Sequence, residues 1–187
     1  AGKNGCGKST LMQIMAGILK PDGGELCYFG KKAAYKSSTF RRFCGYVPQE
    51  NPLMEELTVQ DNLKLWGGSH NANTKELVAQ FQLEDLLQTE VSKLSGGMKR
   101  RLSIACALVE NPPFLLMDEP TTALDLYYKE SIHQWMKTYQ QKNGIILMTT
   151  HDESEIRNAD RCLFMDEGKV QELDAEDILQ KFAGMSE

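Results

Sequence analysis

The feature that most restricts the fold of this chain is a glycine-rich segment at residues 2–9, GKNGCGKS, which matches the pattern G-x-x-x-x-G-K-[ST] in full. The glycines allow the backbone to curl so that several N–H groups point inward at a phosphate. Lys8 adds a cation for the terminal phosphates, and Ser9 adds a hydroxyl for Mg²⁺. The segment therefore predicts a loop that binds ATP and Mg²⁺ through these residues: Gly2, Asn4, Gly5, Cys6, Gly7, Lys8, Ser9 and Thr10.

The composition fits one soluble globular domain over residues 1–187. Hydrophobic residues make up 41% and charged residues 25% of the chain, the usual balance of a folded protein. A net charge of −5 argues against a nucleic-acid partner, and we expect the basic triplet at residues 99–101 to lie on a solvated helix face. The five cysteines lack metal-ligand spacing and indicate reduced thiols in the cytosol. No apolar run approaches the ~20 residues of a membrane span, so any membrane contact must go through a partner.

The hydrophobic pattern alternates between helices and strands, as in an α/β fold. The predicted helices cover residues 9–19, 97–109, 127–141, 153–158 and 175–182, the last on the surface. The predicted strands cover residues 25–29, 114–117 and 145–149, with another ending at Val47 and a hairpin at 162–173. Residues 53–94 instead read as short helices. The predicted fold class is therefore α/β, with a P-loop NTPase core, a mainly parallel sheet and a helical subdomain inserted at 53–94.

An acidic pair follows the buried strand predicted at residues 114–117. Asp118 leaves the carboxyl end of that strand, where it could hold Mg²⁺ directly or through water. Glu119 could orient or deprotonate the water that attacks the γ-phosphate. Taken alone, the pair could be a solvated acidic turn; the phosphate loop upstream favours the metal and catalytic roles.

A histidine follows the next predicted strand. A single histidine is usually structural, but His151 ends a strand beside that of Asp118, at the sheet edge where parallel α/β folds bind ligands. It could donate to the γ-phosphate or hold the attacking water against Glu119.

A second cradle for a phosphate is predicted at Ser95, Gly96 and Gly97, at the start of a helix. One ATP does not need two cradles. The simplest explanation is that this cradle binds the γ-phosphate of an ATP held by another copy, although the segment alone could be a helix cap with a glycine turn.

Together these motifs resemble, in order and spacing, the nucleotide-binding subunits of ATP-binding cassette (ABC) transporters. Residues 2–10 resemble the Walker A motif, residues 94–98 the family signature, and residues 114–119 the Walker B motif with its catalytic glutamate. Gln49 resembles the Q-loop glutamine, residues 123–125 the D-loop, and His151 the switch histidine. The likeness covers nearly the whole chain.

The resemblance implies a head-to-tail dimer with two ATP molecules sandwiched between Walker A of one subunit and the signature of the other. Gln49 would then touch the Mg²⁺ or the attacking water, and Asp125 would lie at the dimer interface. The second subunit would be an identical or a related ABC ATPase. An integral membrane permease would be the other partner, which places the protein peripherally on the cytoplasmic face of the membrane.

Residues 56–63 (ELTVQDNL) and 94–102 are similar to bacterial exporter-type ATPases, which favours export. The chain departs from the family pattern at Met98, where glutamine is frequent, and at Leu126, where proline is frequent. The family also has strands and an adenine-stacking aromatic residue before Walker A, so we interpret the chain as truncated at its N-terminus.

Two other classes of protein contain a phosphate loop of this kind. A soluble, non-transport ABC ATPase of translation or DNA repair is the main alternative, although the segment between Gln49 and Ser95 shows no heptads of the long coiled coil that DNA-repair members insert there. The other is a nucleotide kinase, which would not need the second cradle.

Overall fold

The computed structural model describes residues 1–67, 73–122 and 124–184. Its helices are α1 (Lys8–Met15), α2 (Ser38–Phe43), α3 (Val59–Gly67), α4 (Asn73–Gln80), α5 (Gly96–Leu108), α6 (Leu126–Gln141), α7 (Glu153–Arg157) and α8 (Ala175–Ala183). Its strands are β1 (Cys27–Tyr28), β2 (Lys31–Lys32), β3 (Cys44–Val47), β4 (Phe114–Asp118), β5 (Ile145–Thr149), β6 (Leu163–Asp166) and β7 (Lys169–Glu172).

The centre of the fold is a parallel sheet in the order β3-β4-β5. Tyr46 pairs with Leu116, and Leu116 with Leu147, so the three strands run in register. The middle strand is the most buried because it consists of apolar residues, and Leu115 to Met117 are inaccessible to solvent. Parallel strands end at the same edge, so the segments after Val47, Asp118 and Thr149 emerge side by side. The α/β class with a mainly parallel sheet is confirmed.

The helix α5 crosses the apolar core beside the sheet, with Leu102, Ile104 and Ala105 fully buried. The prediction that residues 99–101 lie on a solvated face is wrong for two of them, because Arg100 and Arg101 are only 4% and 5% exposed. The Arg100 guanidinium donates to the backbone carbonyl oxygens of Asp118 and Pro120. Nη1 of Arg101 donates to Phe81 O, whereas Nε of Arg101 is buried without a hydrogen-bond partner among the described residues.

The region predicted as helical, 53–94, contains α3, α4 and two 3₁₀ turns at Glu84–Leu86 and Val91–Lys93. Thr58 caps the start of α3, since its Oγ1 accepts a hydrogen bond from Asp61 N at 3.1 Å. Apolar residues of this region share one core with α5 and β4. The division into a single domain over residues 1–187 with a helical subdomain at 53–94 therefore stays a prediction.

The first helix is shorter than predicted. The helix α1 ends at Met15, not at residue 19, because Gly17 adopts a left-handed conformation (φ 72°) that ends the helix. The helix α8 lies on the surface, as predicted, since most of its residues are exposed, and it buries Ile178 completely against Ile156 and Phe164. It therefore anchors the antiparallel β6–β7 hairpin to the rest of the chain.

The first two residues are bound to that hairpin. The amino group of Ala1 donates to Leu163 O at 2.7 Å, Met165 N donates to Ala1 O at 2.8 Å, and Gly2 forms a parallel bridge with Met165. A Cβ on Gly2 would lie 2.3 Å from Met165 O, so this close approach requires glycine. The phosphate loop is thereby joined directly to β6. A cavity of about 730 Å³ beside this junction is lined by residues of β5 and α6, together with Ala1, Lys8 and Met165.

Candidate functional site

Three side chains from three different segments meet at the carboxyl edge of the sheet. Nε2 of Gln49 donates to Oε2 of Glu119 at 3.2 Å. Nε2 of His151 lies 3.5 Å from Oε1 of Glu119. The structure thus places Glu119 between the other two residues that the sequence predicts as catalytic. Their individual roles in catalysis stay a prediction.

Glu119 has an unusual backbone conformation. Its φ is 47°, in the left-handed region that a glutamate seldom adopts. The conformation is held by two bonds from its N–H, to Thr149 O at 3.2 Å and to Thr149 Oγ1 at 3.0 Å. Thr122 Oγ1 also donates to the carboxylate at 3.1 Å. The neighbouring strand therefore fixes the direction in which this side chain leaves β4, and such stored strain is common at functional sites.

The electrostatic environment of His151 favours a neutral imidazole. Burial is the main cause that lowers its pKa, and the nearby Lys8 ammonium lowers it further, while Glu119 acts in the opposite direction. The Phe182 ring of α8 packs against the imidazole with centroids 5.6 Å apart. A neutral histidine can donate from one nitrogen and accept at the other, as a group that positions water must.

The phosphate loop has the geometry of an anion site. Gly5 and Gly7 have φ of 78° and 104°, which only glycine adopts readily. Gly7 precedes α1 and has no side chain that could cap the helix. The N–H groups of the first turn of α1 are therefore available to bind a ligand. The Lys8 ammonium donates to Gly2 O at 2.7 Å and Lys3 O at 2.9 Å, which places its charge across the loop. These features fit a bound phosphate chain.

The predicted metal ligands also form a suitable donor set. Asp118 is 3% exposed, and one of its carboxylate oxygens accepts from Thr149 Oγ1, which leaves the other as a potential ligand. The Gln49 amide donates to Glu119 through nitrogen, so its oxygen is the atom that can face a cation. With the Ser9 hydroxyl, these are the hard oxygen donors that Mg²⁺ prefers. Among the described residues, no group of three or more His, Cys, Asp or Glu side chains is arranged so that it could hold a metal ion.

The second cradle lies at the start of α5, away from the phosphate loop. Ser95 is the N-cap, and its Oγ accepts from Met98 N at 3.3 Å. In the described part of the chain, no hydrogen bond or ion pair joins residues 95–97 to residues 2–10. Gly97 is required by packing, since a Cβ there would lie 2.6 Å from the Tyr128 ring. The two cradles therefore belong to different elements, the phosphate loop before α1 and the start of α5.

Asp125 is the N-cap of α6, where its Oδ1 accepts from Tyr128 N at 3.0 Å. The first residue of the predicted D-loop, Ala123, lies outside the described residues. The two residues that follow are large, apolar and strongly exposed, Leu126 at 83% and Tyr127 at 67%. This apolar pair beside Asp125 has the character of an interaction surface.

One residue with a central position was missed by the sequence analysis. Arg100 donates from Nη2 to Asp118 O and from Nε to Pro120 O, both at 2.9 Å, and from Nη1 to Pro48 O. Burial lowers its pKa to about 10, so it remains charged at neutral pH. It joins the segments that carry Gln49 and Glu119. The available signal was the basic triplet at residues 99–101 in a mainly apolar helix, which does not single out Arg100.

Known proteins resemble this chain over most of its length. Residues 1–122 match the family model described as ABC transporter. Nod factor export ATP-binding protein I of Rhizobium sp. (strain N33) is 36% identical over 177 residues, covering 90% of this chain and 58% of that protein. The protein of the same name from Rhizobium etli is 34% identical over 193 residues, covering 98% and 61%. The chain thus spans little more than half the length of these curated relatives.

Solved structures agree with this likeness. A dimeric ATP-binding cassette in a post-hydrolysis state, bound to ADP and phosphate, superposes with a TM-score of 0.82 at 29% identity, covering 93% of this chain and 83% of that one. A bacterial ABC exporter with ATP bound superposes with a TM-score of 0.82 at 29% identity, covering 97% of this chain and 34% of that one.

Proposed function

Because the chain belongs to the ABC transporter family, whose model matches residues 1–122, we propose that it is the ATP-hydrolysing part of a transporter that moves its substrate out of the cell. The observation that carries the proposal is the position of Glu119, held between Gln49 and His151 at the sheet edge.

Hydrolysis requires a group that accepts a proton from water as the water attacks the γ-phosphate. Glu119 is that group in our proposal, since its carboxylate contacts both neighbours and its backbone is fixed by Thr149. The neutral His151 orients the water or donates to the γ-phosphate. Lys8 exchanges its bonds with loop carbonyls for bonds with phosphate oxygens, and the first turn of α1 binds the phosphate chain. Ser9, Asp118 and Gln49 would hold Mg²⁺, which when bound neutralises charge on the phosphates.

We further propose that the active unit is a dimer of this subunit with itself or with a related ABC ATPase. The chain has one phosphate loop, and no hydrogen bond or ion pair among the described residues joins residues 95–97 of its second cradle to that loop. A solved relative is described as dimeric. The exposed Leu126 and Tyr127 beside Asp125 offer an apolar surface for the partner subunit. Ser95, Gly96 and Gly97 would then complete the site of the other subunit.

An integral membrane permease is the second proposed partner, with the subunit bound peripherally at the cytoplasmic face. None of the helices in the described residues is both long and apolar enough to cross a bilayer. Exposed apolar side chains of Met54, Leu57 and Trp66 lie shortly after Gln49 in the chain, a surface that a protein partner would cover. Export is supported by the relatives, which are named for Nod factor export.

The test is ATP hydrolysis by the full-length subunit purified with its membrane partner. We expect Glu119→Gln to lower kcat at least a hundredfold while ATP binding persists, since a general base contributes about 10²–10⁴-fold. Glu110→Gln, at an exposed position after α5, is the matched control. Normal hydrolysis by Glu119→Gln would show that the base is misassigned. Purification without any integral membrane protein would favour the soluble alternative in translation or DNA repair.

A further inference from the structure

We propose that Glu155 is a positioning residue that ties the segment after β4 to the segment after β5 and thereby sets the distance between Glu119 and His151. The proposal rests on the proposed ATP hydrolysis. It concerns a residue that belongs neither to the phosphate loop, nor to the second cradle, nor to the proposed metal ligands.

The carboxyl group of Glu155 is buried at the start of α7, with 4% of the residue exposed. Oε1 accepts a hydrogen bond from Thr121 Oγ1 at 2.7 Å, and Oε2 accepts one from Thr150 Oγ1. Both threonines are themselves buried. One carboxyl group therefore bridges two chain segments that are distant in sequence.

A third partner comes from α6. Nε2 of His133 lies 2.8 Å from Oε1 of Glu155. No lysine or arginine within the described ranges pairs with Glu155, and the neighbouring Lys129 is bound instead to Asp152 at 3.0 Å. A buried acidic group without such a cation depends on its hydrogen bonds for stability. All three donors must therefore stay in place around it.

The two bridged segments are those that carry the chemistry. Thr121 follows Glu119 by two residues, and Thr150 immediately precedes His151. The separation of 3.5 Å between His151 Nε2 and Glu119 Oε1 depends on how these segments lie against each other. A displacement of about 1 Å at such a site can cost a hundredfold in rate. Glu155 acts on the reaction through this alignment, without touching the reacting atoms.

A residue that only supports folding would behave differently. Its removal would lower stability, while each folded molecule would keep a normal kcat. A positioning residue affects kcat with little change in KM, because in the part of the chain that the structure describes no hydrogen bond or ion pair joins Glu155 to residues 2–10 of the phosphate loop, which would bind ATP. Glu155→Gln suits the comparison, since glutamine has the same shape but replaces one acceptor oxygen with an NH₂ group, so at least one of the three donors loses its acceptor.

The experiment measures kcat, KM for ATP and the melting temperature of the full-length subunit assembled with its membrane partner. We expect Glu155→Gln to lower kcat about ten- to a hundredfold with KM changed less than about threefold. Glu153→Gln is the matched control, because Glu153 lies on the same helix with an exposed side chain paired to Arg157, and its kcat should not change.

Thr121→Val provides a second, independent variant that removes one of the three hydrogen bonds and leaves Glu155 intact. We expect a smaller fall in kcat, again with nearly constant KM. A normal kcat in the folded fraction of both Glu155→Gln and Thr121→Val would overturn the positioning role. A wild-type subunit that hydrolyses no ATP would instead contradict the proposed function itself, so the two failures are distinguishable.

Discussion

The guanidinium group of Arg100 donates a 2.9 Å hydrogen bond to the carbonyl oxygen of Asp118. Through this bond, the helix that begins at the second cradle is tied to the strand that carries the proposed metal ligand. The same guanidinium reaches Pro48 O, next to Gln49. One buried cation thus links three segments of the candidate site.

Replacement of Arg100 should therefore destabilise the protein. Arg100→Met leaves three buried carbonyl oxygens, those of Pro48, Asp118 and Pro120, without their donor. We expect a loss of about 3 kcal/mol in the free energy of unfolding, which corresponds to about 6–12 °C in melting temperature for a chain of this size. Urea unfolding and calorimetry measure it. Lys93→Met is the control at an exposed ion pair and should change stability by less than about 0.5 kcal/mol.

The environment of His151 gives a prediction for pH. Because burial and Lys8 lower its pKa in the folded state, the folded protein binds this proton less readily than the unfolded chain does. The contribution of His151 to stability is therefore fully present above the unfolded pKa of about 6.5 and is lost as pH falls below it. An NMR titration should give a midpoint below 6.5. The midpoint should rise in Lys8→Met and fall further in Glu119→Gln; opposite shifts would contradict this electrostatic account.

The two glycines of the second cradle should differ in their tolerance of a methyl group. Gly97→Ala forces a Cβ against the Tyr128 ring, at 2.6 Å, and should cost about 1–3 kcal/mol of stability. Gly96→Ala meets nothing within 4 Å and is the matched control. Tyr128→Ala in the Gly97→Ala background should recover part of the stability lost to the clash. Equal stability of the two alanine variants in thermal unfolding would show that the contact with Tyr128 relaxes freely.

The apolar pair beside Asp125 should matter for dimerisation. We expect the full-length Glu119→Gln subunit to dimerise with ATP, and Leu126→Glu or Tyr127→Glu to weaken that dimer at least tenfold, since a charge must then be buried at the interface. Analytical ultracentrifugation with and without ATP measures the association. Ile18→Glu replaces another exposed apolar residue, beyond the far end of α1, and serves as the control. Full dimerisation of both Leu126→Glu and Tyr127→Glu would exclude this surface.

The parts of the fold that the sequence predicts best are those fixed by local patterns. Residues 114–117 and 145–149 are apolar runs bounded by turn residues, and they form β4 and β5 within one residue of the prediction. The meeting of Gln49, Glu119 and His151 follows from the shared direction of parallel strands. The likeness to the ABC family supports the same meeting, because the motifs that carry these three residues follow one another in the family's order.

Long-range polar contacts were not predictable in this way. Arg100 finds its carbonyl partners 18 to 52 residues away, and nothing in the local pattern distinguishes it from the neighbouring Lys99. Glu155 was predicted only as part of a short helix, and its burial depends on hydroxyl groups supplied by Thr121 and Thr150. Such partners become visible only when the chain is folded.

The bridge between Gly2 and Met165 has a mechanical consequence. It clamps the phosphate loop to the β6–β7 hairpin, and the hairpin packs on α8, whose Phe182 contacts His151. We therefore expect a shift of the loop toward a nucleotide to displace the outer hairpin. A fluorescent dye on Lys169, at the exposed start of β7, would turn that displacement into an optical signal of nucleotide occupancy.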